Sequence, residues 1–342
     1  MKELFVVVVV LVFVIVSPSL CGRAIRLDAT PSFNVFDYGA NGDGETDDTQ
    51  AFVKAWEGVC GSTQASATFV IPKGKTFLLQ PLSLKGPCRP ATVTIQLGGI
   101  ITAPKSMNDW KWPSGDRHAW IQFWSISGLV INGGGQVDGQ GAAWWNFADY
   151  NHRPTSIQFL GCKNLRLSTL TLINSPRNHI SIDTCTGSDI SNLHIIAPKD
   201  SPNTDGIDIA GSSNILVHDS NIQTGDDCIA INTGSSFINI TGVFCGPGHG
   251  ISVGSLGGSG AYATAEEIHV RNCTFTRTQN GARIKTWAGG SGYARKITFE
   301  DIVLVGAGNP VVINQDYSGE DENEVEGTGV RISDVSYRMW SN

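Results

Sequence analysis

One short pattern recurs along most of the chain: an apolar residue followed by apolar residues three and five positions later. It begins at Ile126 (ISGLVI), Leu167 (LSTLTL), Ile190 (ISNLHI), Ile240 (ITGVFC), Val270 (VRNCTF), Phe299 (FEDIVL) and Ile332 (ISDVSY). A further copy at Val217 (VHDSNI) differs only in carrying Ser220 at the middle position. From Leu167 onward successive starts fall at a repeat of about 23 to 33 residues. Each copy is aliphatic and β-branched, is bounded by Gly, Asn, Asp or Ser, and is too short for a helix, so each is a short strand. Propeller blades need about 40 residues or more per repeat. The period therefore predicts an all-β chain wound as a parallel β-helix, with coils stacked about 4.8 Å apart. The end coils of such a solenoid need caps. The segment TDDTQAFVKAWEGVC supplies one as a helix, with Asp47 as its N-cap and Phe52, Trp56 and Val59 at helical spacing.

The chain has 342 residues, 40 of them glycine, with 41% hydrophobic and only 16% charged residues. This composition excludes disorder, collagen and coiled coil. A net charge of -7 with no polybasic run argues against nucleic acid or an anionic membrane as partner. Lys2 precedes an unbroken apolar stretch from Leu4 to Val16, shorter than the ~20 residues a membrane span requires. It reads as a secretory signal, residues 1–23, with cleavage between Cys21 and Arg26, leaving 24–342 as one β-helix domain. Secretion would favour disulfides among the seven remaining cysteines, an odd number that leaves one over. Cys228 and Cys245, on adjacent coils, are the predicted pair. Cys60 with Cys88 and Cys162 with Cys185 follow, and Cys273 stays free at an inward position. The sequons Asn239-Ile-Thr and Asn272-Cys-Thr fall inside strands, a setting expected to hide them.

The segments DGIDI, DCIAI and HGISV begin at Asp205, Asp227 and His249, in two equal steps of one coil each. In a β-helix these three lie in one column, with Asp226 beside Asp227. Neighbours on a regular strand face opposite ways, so both carboxylates reach solvent only if a bend starts there, which Gly225 would allow. Crowded carboxylates repel, and at least one should stay protonated, as glycosidases require. Arg283 and Lys285 (RIKTW), at spacing two, share a strand face on the coil after His249. Fixed cations beside acids suit a substrate that itself carries carboxylates.

Asn203-Thr-Asp205, Gly225-Asp226-Asp227, Gly248-His249-Gly250 and Arg283-Ile-Lys285, in that order, resemble the four signature motifs of the polygalacturonases, glycoside hydrolase family 28. DGQGAAWW (138 to 145) and FNVFDYGANGDGETDDTQAF (33 to 52) resemble its plant members. The resemblance implies a right-handed parallel β-helix that hydrolyses α-1,4 links of de-esterified pectin with inversion, without metal or cofactor. It implies Asp226 as general acid, Asp205 and Asp227 as the pair that orients and deprotonates water, and His249 as the group that tunes the acid. Arg283, Lys285 and Tyr317 (in VVINQDY) would bind the galacturonate, with Asn203 bracing Asp205 or a sugar hydroxyl. Pectin and oligogalacturonides would be the partners, with polygalacturonase-inhibiting proteins beside them, for a monomer at the cell wall. The resemblance departs at SDVSYRMWSN, beyond which the family continues through a further coil and a cysteine-bearing tail, so C-terminal coils are expected to be missing.

Two other functions use the same features. A pectate lyase would hold Ca²⁺ among Asp205, Asp226 and Asp227. A catalytically inactive β-helix would bind wall polymer or inhibitor through the same column. Internal against terminal cleavage depends on subsite loops, for which 109 to 124, Trp144-Trp145 and 255 to 265 are the candidates, their tryptophans serving either sugar stacking or packing.

Overall fold

The structure, a computed structural model, describes residues 30–113, 117–147, 149, 152–317 and 329–341. The expected leader, 1–23, lies outside these residues. Among them no helix is long and apolar enough to cross a membrane.

The strands pair in parallel and stack coil upon coil. One middle coil consists of Ile180–Asp183, Thr186–Ser191 and His194–Ile196, and the next, Ile207–Ala210, Ser213–His218 and Asn221–Gln223, pairs with it strand for strand. One sheet, which carries the site, runs through nine strands in chain order. These are Leu82–Lys85, Ala119–Trp124, Thr155–Leu160, Ile180–Asp183, Ile207–Ala210, Ile229–Ile231, Ile251–Leu256, Asn280–Thr286 and Asn309–Asn314. A second sheet of twenty strands forms the remaining faces.

The repeat's three positions point inward and are buried from Ile126 to Leu304. Leu167, Ile190, Val217, Ile240, Val270 and Phe299 stack in one register. Ser220 fits the apolar column because its hydroxyl donates to His218 O and accepts from Leu193 N. The two end copies are out of that register. Ile131, not Ile126, pairs with Leu167, and Ile332 pairs with Ala294 rather than Phe299. The cause lies within the coil: Cys162, Leu165, Leu167, Leu170 and Leu172, all buried, repeat the three-two spacing around a corner, so the motif matches at two offsets. At the C-terminal end Val311 and Ile313, paired onto fully buried Ala282 and Ile284, are 42% and 49% exposed. No strand among the described residues pairs on their other side in this sheet.

The helix Thr49–Cys60 closes the first coil. Phe52 packs edge-on against Phe69 and Phe77, and Trp56 Nε1 donates to Lys85 O. Asp48, not Asp47, occupies the N-cap, and its carboxylate accepts instead from Asn41 N and Gly42 N. Asp47, one position further out, still accepts the amide of the first helical residue, Thr49 N, on its Oδ1.

Disulfides join Cys60 to Cys88 and Cys228 to Cys245, and Cys273 is free and buried. The expected Cys162–Cys185 bridge is absent. These two occupy equivalent positions on adjacent coils, because the next residues, Lys163 and Thr186, are bridged. Side chains in register run alongside each other, whereas a disulfide needs converging Cβ vectors. Each thiol finds a carbonyl instead: Cys162 Sγ donates to Phe123 O and Cys185 Sγ to Asp183 O. Asn239, within its strand, and Asn272, just past the end of one, are both exposed, so neither sequon is hidden.

Candidate active site

Ile207, Ile229 and Ile251 pair in register, which places Asp205, Asp227 and His249, each two residues earlier, at equivalent positions of three successive coils. Asn280 takes that position on the fourth coil, since Ala282 pairs with Ile251. Arg283 instead pairs with Ser252, three positions further along the strand, so the two cations flank the column rather than finish it. Their long side chains reach back into it. Gly225 is required by close approach, because a Cβ there would collide with Ser201 O. Gly250 has φ +94°, and a Cβ would collide with Asn280 O and Gly281 O. Both glycines flank the functional turns and let neighbouring coils close on them.

The adjacent aspartates part company. Asp227 is buried, its side chain 1% exposed. Its Oδ1 accepts from Arg283 at 2.6 Å and from Ser252 Oγ at 2.8 Å, and its Oδ2 accepts from Lys285 at 3.0 Å. Only Asp226 keeps contact with solvent, contrary to the expectation that both would. Its Oδ1 accepts from Asp227 N and pairs with His249 Nδ1, both at 2.8 Å, while His249 N donates to Asp226 O. Asn203 Nδ2 lies 3.5 Å from Asp226 Oδ2. The orientation of that amide is set from behind: Arg153, buried, donates to Asn203 Oδ1 at 3.2 Å and to Pro202 O at 2.9 Å, which turns the NH₂ toward Asp226. Lys285 Nζ sits 5.3 Å from the Tyr317 ring centroid, and that ring meets Trp287 edge-on.

Burial and the charges of Asp208, Asp226 and Asp227 push Asp205 well above the usual carboxylate range, against the pull of Lys285. Burial also pushes Asp226 up, but its hydrogen bond to His249, the His249 and Lys285 charges and the Asp227 amide outweigh it and hold Asp226 below the usual range. The carboxyl that crowding raises is thus Asp205, while Asp226, the acid the resemblance implies, is held low. Asp208 was not foreseen. Burial raises it to about 7, with Asp227 and Asp226 adding repulsion while Arg177 and Lys285 oppose.

Asp205, Asp226, Asp227, Asn203, Lys285 and Tyr317 line one cavity of about 370 Å³, joined by Arg177, Asp208 and Trp287. His249 reaches it through Asp226, and Arg283 through Asp227. A cavity on one side shares Arg177 and Asp208 with it, and one on the other side shares Lys285 and Tyr317. The result is a groove open along the sheet in both directions. Ligating atoms of Asp226, Asp227 and His249 lie within 4.8 Å of one another. A hard divalent cation seeks six to eight oxygens, but here both Asp227 oxygens are already bound to cationic groups. The cluster does not suit Ca²⁺.

Sequence reasoning missed Arg153, Arg177, Ser252, Asp208 and Trp287. A signal existed for Asp208, because inward Ile207 and Ile209 force the residue between them outward beside the column. Of the flagged tryptophans, Trp110, Trp120 and Trp144 are buried in one aromatic cluster, and Trp145 Nε1 donates to Ser175 O, so these are packing residues.

A parallel β-helix carrying buried and half-buried carboxylates between fixed cations in an open outer groove defines a polysaccharide-acting glycosidase. The chain belongs to the glycosyl hydrolases family 28, whose model matches residues 60–339. It is 51% identical over 311 residues to a probable polygalacturonase of Arabidopsis thaliana, covering 91% of this chain and 67% of that one. It is 42% identical over 324 residues to a polygalacturonase of Cryptomeria japonica, covering 92% and 62%. Among solved structures it resembles the endo-xylogalacturonan hydrolase of Aspergillus tubingensis at TM-score 0.77 and 26% identity, covering 91% and 85% of the two chains. It also resembles the polygalacturonase of Erwinia carotovora at TM-score 0.72 and 25% identity, covering 92% and 87%.

Proposed function

We propose that this chain hydrolyses α-1,4-galacturonosyl links within de-esterified pectin, with inversion at the anomeric carbon. The observation that carries the reading is a cavity in which Asp205, Asp226 and Asp227 adjoin two cations already fixed on a carboxylate. A galacturonate carboxylate can share Arg283 and Lys285 with Asp227, while Tyr317 flanks the sugar. Asp226 protonates the leaving oxygen. It begins low, but substrate that draws Lys285 away removes one of the charges holding it down, and substrate lying over the carboxyl adds burial; both changes raise it toward a working acid. His249 is the proton-sharing partner that tunes it. Asp205, which holds its own proton, orients the water, and the ion-paired Asp227, partly released as Arg283 and Lys285 turn to the substrate, takes the water's proton.

The groove runs past the cavity on both sides, which favours cleavage inside the polymer. Every site residue comes from one chain, so a monomer suffices, and an open groove is what polygalacturonase-inhibiting proteins would cover. Plant relatives named polygalacturonase support action outside the cell, on the wall. The test is incubation with polygalacturonate. New reducing ends, a first-formed β-anomer by NMR and early products of mixed length are expected. An unsaturated product absorbing in the ultraviolet would make the chain a lyase, and pectin binding without new reducing ends would make it a binding module.

A further inference from the structure

The floor of the groove is two columns of outward side chains on the nine-stranded sheet. One runs Ser83, Gln122, Gln158, Ser181, Asp208 and, through Ala230 and Ser252, to Arg283. The other, two residues further along each strand, runs Lys85, Trp124, Leu160, Asp183 and Ala210, and Lys285 stands two residues beyond Arg283 in the same way. Near the catalytic cavity the N-terminal arm is acidic, with Asp183 and Asp208. Beyond that it is neutral, where Gln122 Nε2 donates to Gln158 Oε1 and Ser83 Oγ to Gln122 Oε1. It ends in Trp124, 44% exposed, with Lys85 Nζ 5.3 Å from the centroid of its ring. Lys85 is the one cation among the ten residues of these two N-terminal runs.

We propose that Trp124 and Lys85 form a distal subsite for a galacturonate of the same polymer. The proposal rests on the reading of the groove as a pectin site. An aromatic ring offers an apolar face to the C–H face of a pyranose, and the ammonium held beside it meets the sugar's carboxylate. Position supports this use. Gln122 and Leu160, the neighbours of Trp124 on its own strand and the next, line the cavity that shares Arg177 and Asp208 with the catalytic one. Four strand steps separate Trp124's strand from Ile229–Ile231, directly after Asp226 and Asp227, which is about 19 Å at the usual spacing. Only a polymer long enough to bridge that distance reaches both places. The subsite therefore makes catalytic efficiency depend on chain length.

The test compares trigalacturonate with decagalacturonate. In the wild-type protein, kcat/KM should be higher on the decamer. In Trp124→Ala the decamer-to-trimer ratio should fall about 5- to 20-fold, Trp124→Phe should restore most of it, and Lys85→Gln should lower it while weakening its salt dependence. A ratio unchanged in Trp124→Ala, or equal losses on both oligomers, overturns the subsite. Inactivity of the wild type on both oligomers would instead overturn the reading of the groove, a separate result. Thermal melting of each variant near the wild-type temperature excludes misfolding as the cause.

Discussion

Replacing Lys285 by Gln separates recognition of the substrate's charge from the integrity of the site. Lys285 is 7% exposed, so its contact with a substrate carboxylate forms in a largely dry setting. A hydrogen bond to a charged group contributes about 1.5–3 kcal/mol, and each 1.4 kcal/mol is tenfold, so KM for oligogalacturonates should rise about 10- to 150-fold. The fold should survive, because Asp227 keeps Arg283 at 2.6 Å and Ser252 at 2.8 Å, and the new amide still offers an N–H to Oδ2. Lys285 also lowers Asp205, Asp208 and Asp226. Removing a cation raises each of them, so the whole pH–rate profile should move to higher pH. The assay is initial rate against concentration on polygalacturonate and on highly methyl-esterified pectin, repeated across pH. A loss of equal size on esterified pectin, where no carboxylate is present to grip, would refute the reasoning. So would a profile displaced to lower pH.

Asp226→Asn should lower kcat about a hundredfold or more with oligomer binding retained; near-normal turnover in a folded variant would remove Asp226 from proton transfer. Asp208 keeps its proton up to about 7 in the folded chain, against 3.8 ordinarily, so the fold holds a proton that the unfolded chain releases. Its stabilising contribution is complete below pH 3.8 and is lost as pH rises through about 7. Asp208→Asn should therefore flatten the decline of melting temperature over that window, and an unchanged slope would count against the assignment. Cys228→Ser with Cys245→Ser opens a 17-residue loop beside the catalytic turn and should cost about 3 kcal/mol in denaturant unfolding. In the native protein Cys162 and Cys185 should resist alkylation and react singly once unfolded, whereas a peptide containing both in a bridge would contradict two free thiols.

What the sequence made legible is what a coil period controls. The equal steps from Asp205 to Asp227 to His249 match the coil length, so register followed from counting, and Ile207, Ile229 and Ile251 pair accordingly. The same counting misled where one spacing allows two outcomes. Cys162 and Cys185, one coil apart, are neighbours whether or not they are bonded, and the period carries no information on where their Cβ atoms point. The end copies at Ile126 and Ile332 slipped because the three-two spacing repeats around each corner.

The chemistry of the site was only half legible, for a different reason. Residue type and order marked Asp205, Asp226, Asp227, His249, Arg283 and Lys285, but protonation depends on which carboxylate is buried with partners and which without. Asp227 is the most buried of the three, yet its three donors meet both oxygens, and Asp226 has His249. Asp205 has burial and three like charges with little to offset them, so the retained proton settles there. Arg153 fixes the Asn203 amide from a position 50 residues earlier, in a segment with no repeat and no motif. Contacts of that kind come from side-chain reach across coils, which composition and spacing do not encode. The free site therefore raises the carboxyl that orients the water and holds the prospective acid low. For the proposed reaction to run, Asp226 has to gain a proton, and arrival of a carboxylate at Lys285 raises it in that direction, which ties proton placement to recognition of substrate charge.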